Sequence, residues 1–182
     1  MELSNMILEN LKGAALEQIT QKIGGDNKTT KSIAAKALPM LLGQLEKNTA
    51  TEDGANSLND ALNSHLGESK IDLADGAKIL GHLFWNKDEA IETVAKASGQ
   101  DAEKAGGVMS ALSSVIMETL WDQKKASGWF DTGDIMKLLA GTGKDANILG
   151  MVMDQDGDGD FDKQDAMKFG MGWLKNKFLG KK

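Results

Sequence analysis

The longest apolar run with helical spacing begins behind Asp101. Val108, Met109, Leu112, Val115, Ile116, Leu120 and Trp121 recur at three- and four-residue steps between Ala102 and Lys125, which lays a stripe along one face of an α-helix. A half-buried strand would instead alternate every second residue. No stretch of the chain does so, and valine and threonine are scattered. An apolar stripe of this length must be covered by other elements, and every other apolar segment also reads as a helix. The expected class is all-α, a compact multi-helical domain.

Taken in order, Leu3 to about Lys22 reads as a first helix, stopped by Gly24-Gly25-Asp26-Asn27. Lys28–Lys47 carries Ile33, Ala34, Ala37, Leu38, Leu41, Leu42 and Leu45 at helical spacing. Pro39 falls inside that run and must either kink one helix or open a second as its first residue. Thr51 resembles an N-cap followed by two acids, leading into Ala55–His65. Asp72–Trp85 is strongly apolar, Asn86 caps Glu89–Ala97, and Asp101 caps the long helix. Asp131 caps a short helix over Ile135–Ala140. Gly141-Thr142-Gly143 then reads as a joint, dividing a helical body, residues 1–140, from a C-terminal module, residues 145–182. A helix–Gly–helix pattern also recurs at an offset of 74, pairing Gly25 with Gly99 and Leu38 with Leu112. It fits two related helical units, and it equally fits the chance alignment that such segments produce.

Composition narrows the chemistry. There is no cysteine, so disulfides, thiolate catalysis and Cys-based zinc sites are excluded. All 21 basic residues are lysine, which leaves no guanidinium fork for bidentate recognition of phosphate or carboxylate. The formal charge is −6, and residues 154–165 alone hold a net −5. The acidity is therefore local, and no basic stripe suits a nucleic acid. The N-terminus lacks the basic and apolar regions of a signal peptide, and no window approaches the ~20 apolar residues that span a bilayer. A cytoplasmic protein without membrane contact is expected.

The densest chemistry is Asp154–Asp165, where six of twelve residues are aspartate. Ca2+ takes six to eight oxygen ligands, and an EF-hand loop supplies them from fixed positions. Asp154, Asp156 and Asp158 occupy positions one, three and five. Gly159 stands at position six, where the chain turns sharply. Asp160 at seven would offer its carbonyl, Phe161 at eight would pin the loop, and Asp162 at nine would act through water. Asp165 closes the loop at twelve. A merely solvated acidic run would not require this alternation. The usual closing glutamate reaches in with both oxygens, whereas aspartate is a methylene shorter. That resembles dockerin-type loops more than calmodulin-type sensors and leaves Mg2+ as a competitor.

EF-hands usually work in pairs. Gly128–Lys137 echoes Gly159–Lys168 at an offset of 31, aligning Phe130 with Phe161. One interpretation makes Val115–Ala140 a degenerate hand with Gln123–Asp134 as its metal-free loop. The plainer interpretation, which we prefer, is that Asp131 simply caps a short helix with Asp134 in its first turn. Other candidates are weaker. Gly141–Lys144 lacks the first glycine and the final Ser or Thr of a phosphate loop. His65 and His82 have no catalytic or zinc context. Met109, Met117, Met136, Met151, Met153, Met167 and Met171 fit core filling better than an adaptable binding surface. The basic amphipathic end, Trp173–Lys182, is expected to dock on the body.

Several stretches together resemble the YidB-like family of bacterial proteins. They are Leu16–Gly25 with its Gly-Gly-Asp stop, Ala37–Gly43, Thr51–Ala55, Ile79–Phe84 and the terminal Leu149–Lys182 segment. The resemblance implies a compact helical fold and bacterial origin, with no catalytic residues to carry over. Members often end in this type of loop. The expected function is non-enzymatic calcium binding with a structural or weak sensor role. The alternative is a helical interaction or scaffold protein with an unknown protein partner. The sequence is silent on that partner and on oligomeric state.

Overall fold

A computed structural model describes residues 6–7, 11, 14–64, 71–127 and 131–140. Its helices are α1 (Ala14–Lys22), α2 (Asn27–Asn48), α3 (Glu52–Ser64), α4 (Leu73–Leu83), α5 (Lys87–Ser98), α6 (Ala102–Ser127) and α7 (Thr132–Leu139). Among the described residues there is no strand, and no helix is long and apolar enough to cross a membrane.

The helix behind Asp101 is the centre of the molecule. α6 packs against α1, α2, α3, α4 and α5, and its residues are buried without interruption from Val108 to Met117. The stripe in the sequence implies one buried face, but here the whole girth is enclosed. Ser110, Ser113 and Thr119 are tolerated inside because each hydroxyl donates to the carbonyl four residues earlier, at 2.8, 2.9 and 2.8 Å. Ser114 instead crosses to α4's cap and donates to the carbonyl of Asp72 at 2.7 Å.

α4 lies so close to α6 that only glycine fits at their crossing. A Cβ on Gly76 would stand 1.9 Å from the Ser110 carbonyl oxygen. Around this pair, Ile33, Leu38, Leu41 and Leu42 of α2 complete the core with Ile19 of α1 and Leu62 of α3, all at most 1 % exposed. Pro39 neither ends nor restarts α2, which runs through it, although Pro39 has no N–H to offer the carbonyl of Ala35. At the N-terminus Ile7 is helical, but Leu11 is a turn residue before α1 starts at Ala14. The expected single helix from Leu3 is thus interrupted.

Corners are set by local chemistry. Gly24 and Gly99 adopt φ of 63° and 67°, left-handed values that penalise a Cβ. Asp26, Asp72, Asn86, Asp101 and Asp131 cap the helices that follow them, each accepting from amides of the first turn. These amides hold three carboxyls below the ordinary aspartate range: Thr29 N–H acts on Asp26, Asp75 N–H on Asp72, and Lys104 N–H on Asp101.

The folded chain binds these protons more weakly than the unfolded chain, so the caps stabilise fully above about pH 4 and lose that contribution as pH falls through the depressed values. The triple replacement Asp26→Asn, Asp72→Asn and Asp101→Asn keeps an acceptor oxygen but removes the titration. It is expected to flatten the loss of urea midpoint between pH 5 and pH 3. An acid limb as steep as that of the parent would show that these caps do not titrate with folding.

Candidate metal site

The six aspartates of the proposed ligand set, Asp154, Asp156, Asp158, Asp160, Asp162 and Asp165, lie outside the described residues, as do Gly159 and Phe161. Among the described residues, no group of three or more His, Asp or Glu side chains could hold a metal ion. The expectation of a metal site therefore rests on the spacing of the aspartates alone.

The proposed partner hand does fall largely on described residues, and its geometry is informative. Its positions one, three and five, Gln123, Lys125 and Ser127, are all inside α6, which continues to Ser127. A coordinating loop needs extended and turned backbone there, and a continuous helix points these side chains around its axis. Asp131 accepts from the Asp134 amide at 3.0 Å, while the Asp134 carboxylate accepts from the Asp131 amide at 3.3 Å. This reciprocal arrangement is a capping box. The plainer interpretation therefore holds at these residues: 123–127 are helix, where a hand would need loop, and Asp131 and Asp134 cap α7. The pairing of Phe130 with Phe161 lies outside the described residues.

The reading of the sequence missed what the end of α6 does. Asn56, Asn59 and Asn63 stand at helical spacing along α3, and their carboxamides face the α6–α7 corner. The Lys124 ammonium donates to Asn59 Oδ1 and Asn63 Oδ1. Thr132 Oγ1, at the start of α7, donates to Asn56 Oδ1 at 2.6 Å. Beside them Lys125 Nζ sits 4.9 Å from the centre of the Trp121 ring, within cation–π range. Leu62, Asn63, Trp121, Lys124 and Lys125 line an open depression of about 420 Å³. It holds no nucleophile and no acid–base pair. The hydrogen bonds beside it tie α3 to the end of α6 and to the start of α7. Three asparagines at helical spacing were the available signal.

The remaining candidates resolve simply. His82 is exposed on α4 and has no partner of catalytic type, while His65 lies outside the described residues. Met109 and Met117 are core residues, and Met136 packs against the core at its edge. Met151, Met153, Met167 and Met171 lie outside the described residues, as do Gly141–Lys144 and Trp173–Lys182.

Comparison with known proteins adds the family. No curated protein and no solved structure matches the chain. A family model described as "Bacterial protein of unknown function (DUF937)" matches it over residues 5–123 and again over 88–182. The second match runs through the aspartate loop, and the family is the one to which the Gly-Gly-Asp stop and its companion motifs pointed. The first match alone spans well over half of the chain, and the chain therefore belongs to the DUF937 family of bacterial proteins.

Proposed function

We propose that the protein is a non-enzymatic calcium-binding protein in which Ca2+ orders the Asp154–Asp165 loop. The observation that carries this is the spacing: aspartates at positions one, three, five, seven, nine and twelve, with Gly159 at six and Phe161 at eight. Six carboxylates in one turn repel one another, which opposes a compact loop until a cation neutralises them. The ion's role is structural, or that of a weak sensor, because Asp165 reaches less far than the usual glutamate. Mg2+ competes for the same oxygens but demands tighter octahedral geometry.

The test is a titration of the full chain with CaCl2, followed by tryptophan fluorescence and thermal unfolding. At calcium a hundredfold above its dissociation constant, binding adds about 2.7 kcal/mol to the unfolding step that releases the ion. Asp154→Ala combined with Asp156→Ala is expected to abolish the response and leave the far-UV circular dichroism of the helical body unchanged. Indifference of fluorescence, chemical shifts and melting to millimolar calcium would rule the proposal out.

A second proposal, an interaction scaffold in which metal is incidental, draws on Trp85. Its indole is fully exposed in the turn between α4 and α5, where a partner's surface would cover it. Trp85→Ser distinguishes the two. It should leave calcium binding intact and weaken capture of a copurifying protein only if the scaffold proposal holds.

A further inference from the structure

We infer that the body is an internal two-fold pair: two equivalent helical units, joined in one chain, each serving as the other's binding partner across an interface centred on α2 and α6. One unit comprises Ile7 and Leu11 with α1, α2 and α3. The other comprises α4, α5, α6 and α7.

The equivalence is clearest at the corners. Gly24 N–H donates to Gln21 O at 3.3 Å and Gly25 N–H to Thr20 O at 3.1 Å. Exactly 75 residues on, Gly99 N–H donates to Lys96 O at 3.4 Å and Gln100 N–H to Ala95 O at 3.0 Å. Both are the same left-handed helix stop. Asp26 caps α2 through the Thr29 amide at 2.9 Å, and Asp101 caps α6 through the Lys104 amide at 2.8 Å. The same offset superposes buried positions: Ile19 on Val94, Ile33 on Val108, Leu41 on Ile116 and Leu45 on Leu120. Ahead of these corners the register shifts by two residues: the amide of Leu11 donates to Ile7 O at 2.9 Å and, 73 residues on, that of Phe84 to Leu80 O at 3.1 Å. The offset of 74 suggested by residue identity is one short, because it pairs Gly25 with Gly99 while the left-handed residue is Gly24.

Repetition alone would allow two beads on a string. The contacts exclude that, because they are reciprocal. α1 packs on α6 and its counterpart α5 packs on α2; α3 packs on α6 and its counterpart α7 packs on α2. The elements that would lie on the axis pack against their own counterparts, α2 on α6 and α3 on α7. Individual residues obey the same exchange. Ile23 fills the space above Gly107, and the residues 75 on and 75 back, Ser98 and Ser32, also meet, with Ser32 Oγ 3.4 Å from the Ser98 carbonyl. Residue i touching j while the counterpart of i touches the counterpart of j is the signature of an isologous, two-fold interface. The departure from symmetry is local. α6 is four residues longer than α2, and that added turn holds Lys124 and Lys125.

Neither unit can then be stable without the other. The test uses the full chain. Leu45→Ala and Leu120→Ala, identical side chains at equivalent positions, are each expected to lower the midpoint of one shared unfolding transition by similar amounts. Two transitions, with each variant shifting only its own, would overturn the inference. Hydrogen exchange on the unaltered chain answers the question if a variant fails to fold. The slowest amides of α2 and α6 should exchange at rates within about threefold of one another, and a tenfold or greater separation refutes a shared core. A protease site placed within residues 65–70 of the full chain gives a third reading. After cleavage the two fragments should co-elute in buffer and part in urea; parting in buffer counts against the pair.

Discussion

Gly76→Ala is expected to destabilise the protein by about 3 kcal/mol or more, at the upper end of the usual cost of overpacking. Alanine normally favours a helix over glycine by up to about 1 kcal/mol, so local propensity predicts the opposite sign. The new Cβ would lie 1.9 Å from the Ser110 carbonyl oxygen and 2.6 Å from its carbon. Those are backbone atoms of the central helix and cannot swing aside as a side chain can. α4 would have to withdraw from α6, lengthening the Ser114–Asp72 hydrogen bond and opening the core on both sides. Gly81 supplies the control. It lies on the same helix, and nothing stands within 4 Å of a Cβ built there. Gly81→Ala should therefore stabilise by roughly 0.5–1 kcal/mol. Thermal midpoints are the simplest readout, at about 2–4 °C per kcal/mol for a chain of this size. Equal effects of the two substitutions would mean that α4 and α6 do not cross as described.

Leu112→Ala should cost about 2–5 kcal/mol, read as a lower urea midpoint with an unchanged slope. Leu112 is fully buried on the helix that five others surround, so few neighbours are free to collapse into the space. Its neighbour Ser113 is equally buried, yet Ser113→Ala should cost less than about 1 kcal/mol. The hydroxyl bonds only to the Met109 carbonyl one turn back, and removing it strands no donor. A small loss at Leu112, or a large one at Ser113, would contradict the central position of α6.

Such contrasts show which features a linear reading can reach. The caps at Asn86, Asp101 and Asp131 were legible because a cap is a bargain between residues three apart, and so was the apolar period of α2 and α6. The end of α4 was harder. An apolar run to Trp85 invites a helix, but Asn86 needs non-helical backbone to cap α5, and the helix stops at Leu83. The echo between Gly128–Lys137 and Gly159–Lys168 offered a paired hand that the preferred reading of Asp131 as a cap already set aside. It compared residue types around a loop without registering that α6 carries its helix through Ser127.

The sequence by itself determined the class, the caps at Asn86, Asp101 and Asp131, and the spacing of aspartates from Asp154 to Asp165, because these depend on groups a few residues apart. Tertiary structure alone decided that α6 is buried around its whole girth and that Gly76 is a contact point, not a flaw in a helix. It also set the counterpart of Gly24 at Gly99. Those outcomes depend on which surfaces meet across long stretches of chain, and residue spacing along one helix carries no record of the helix packed against it.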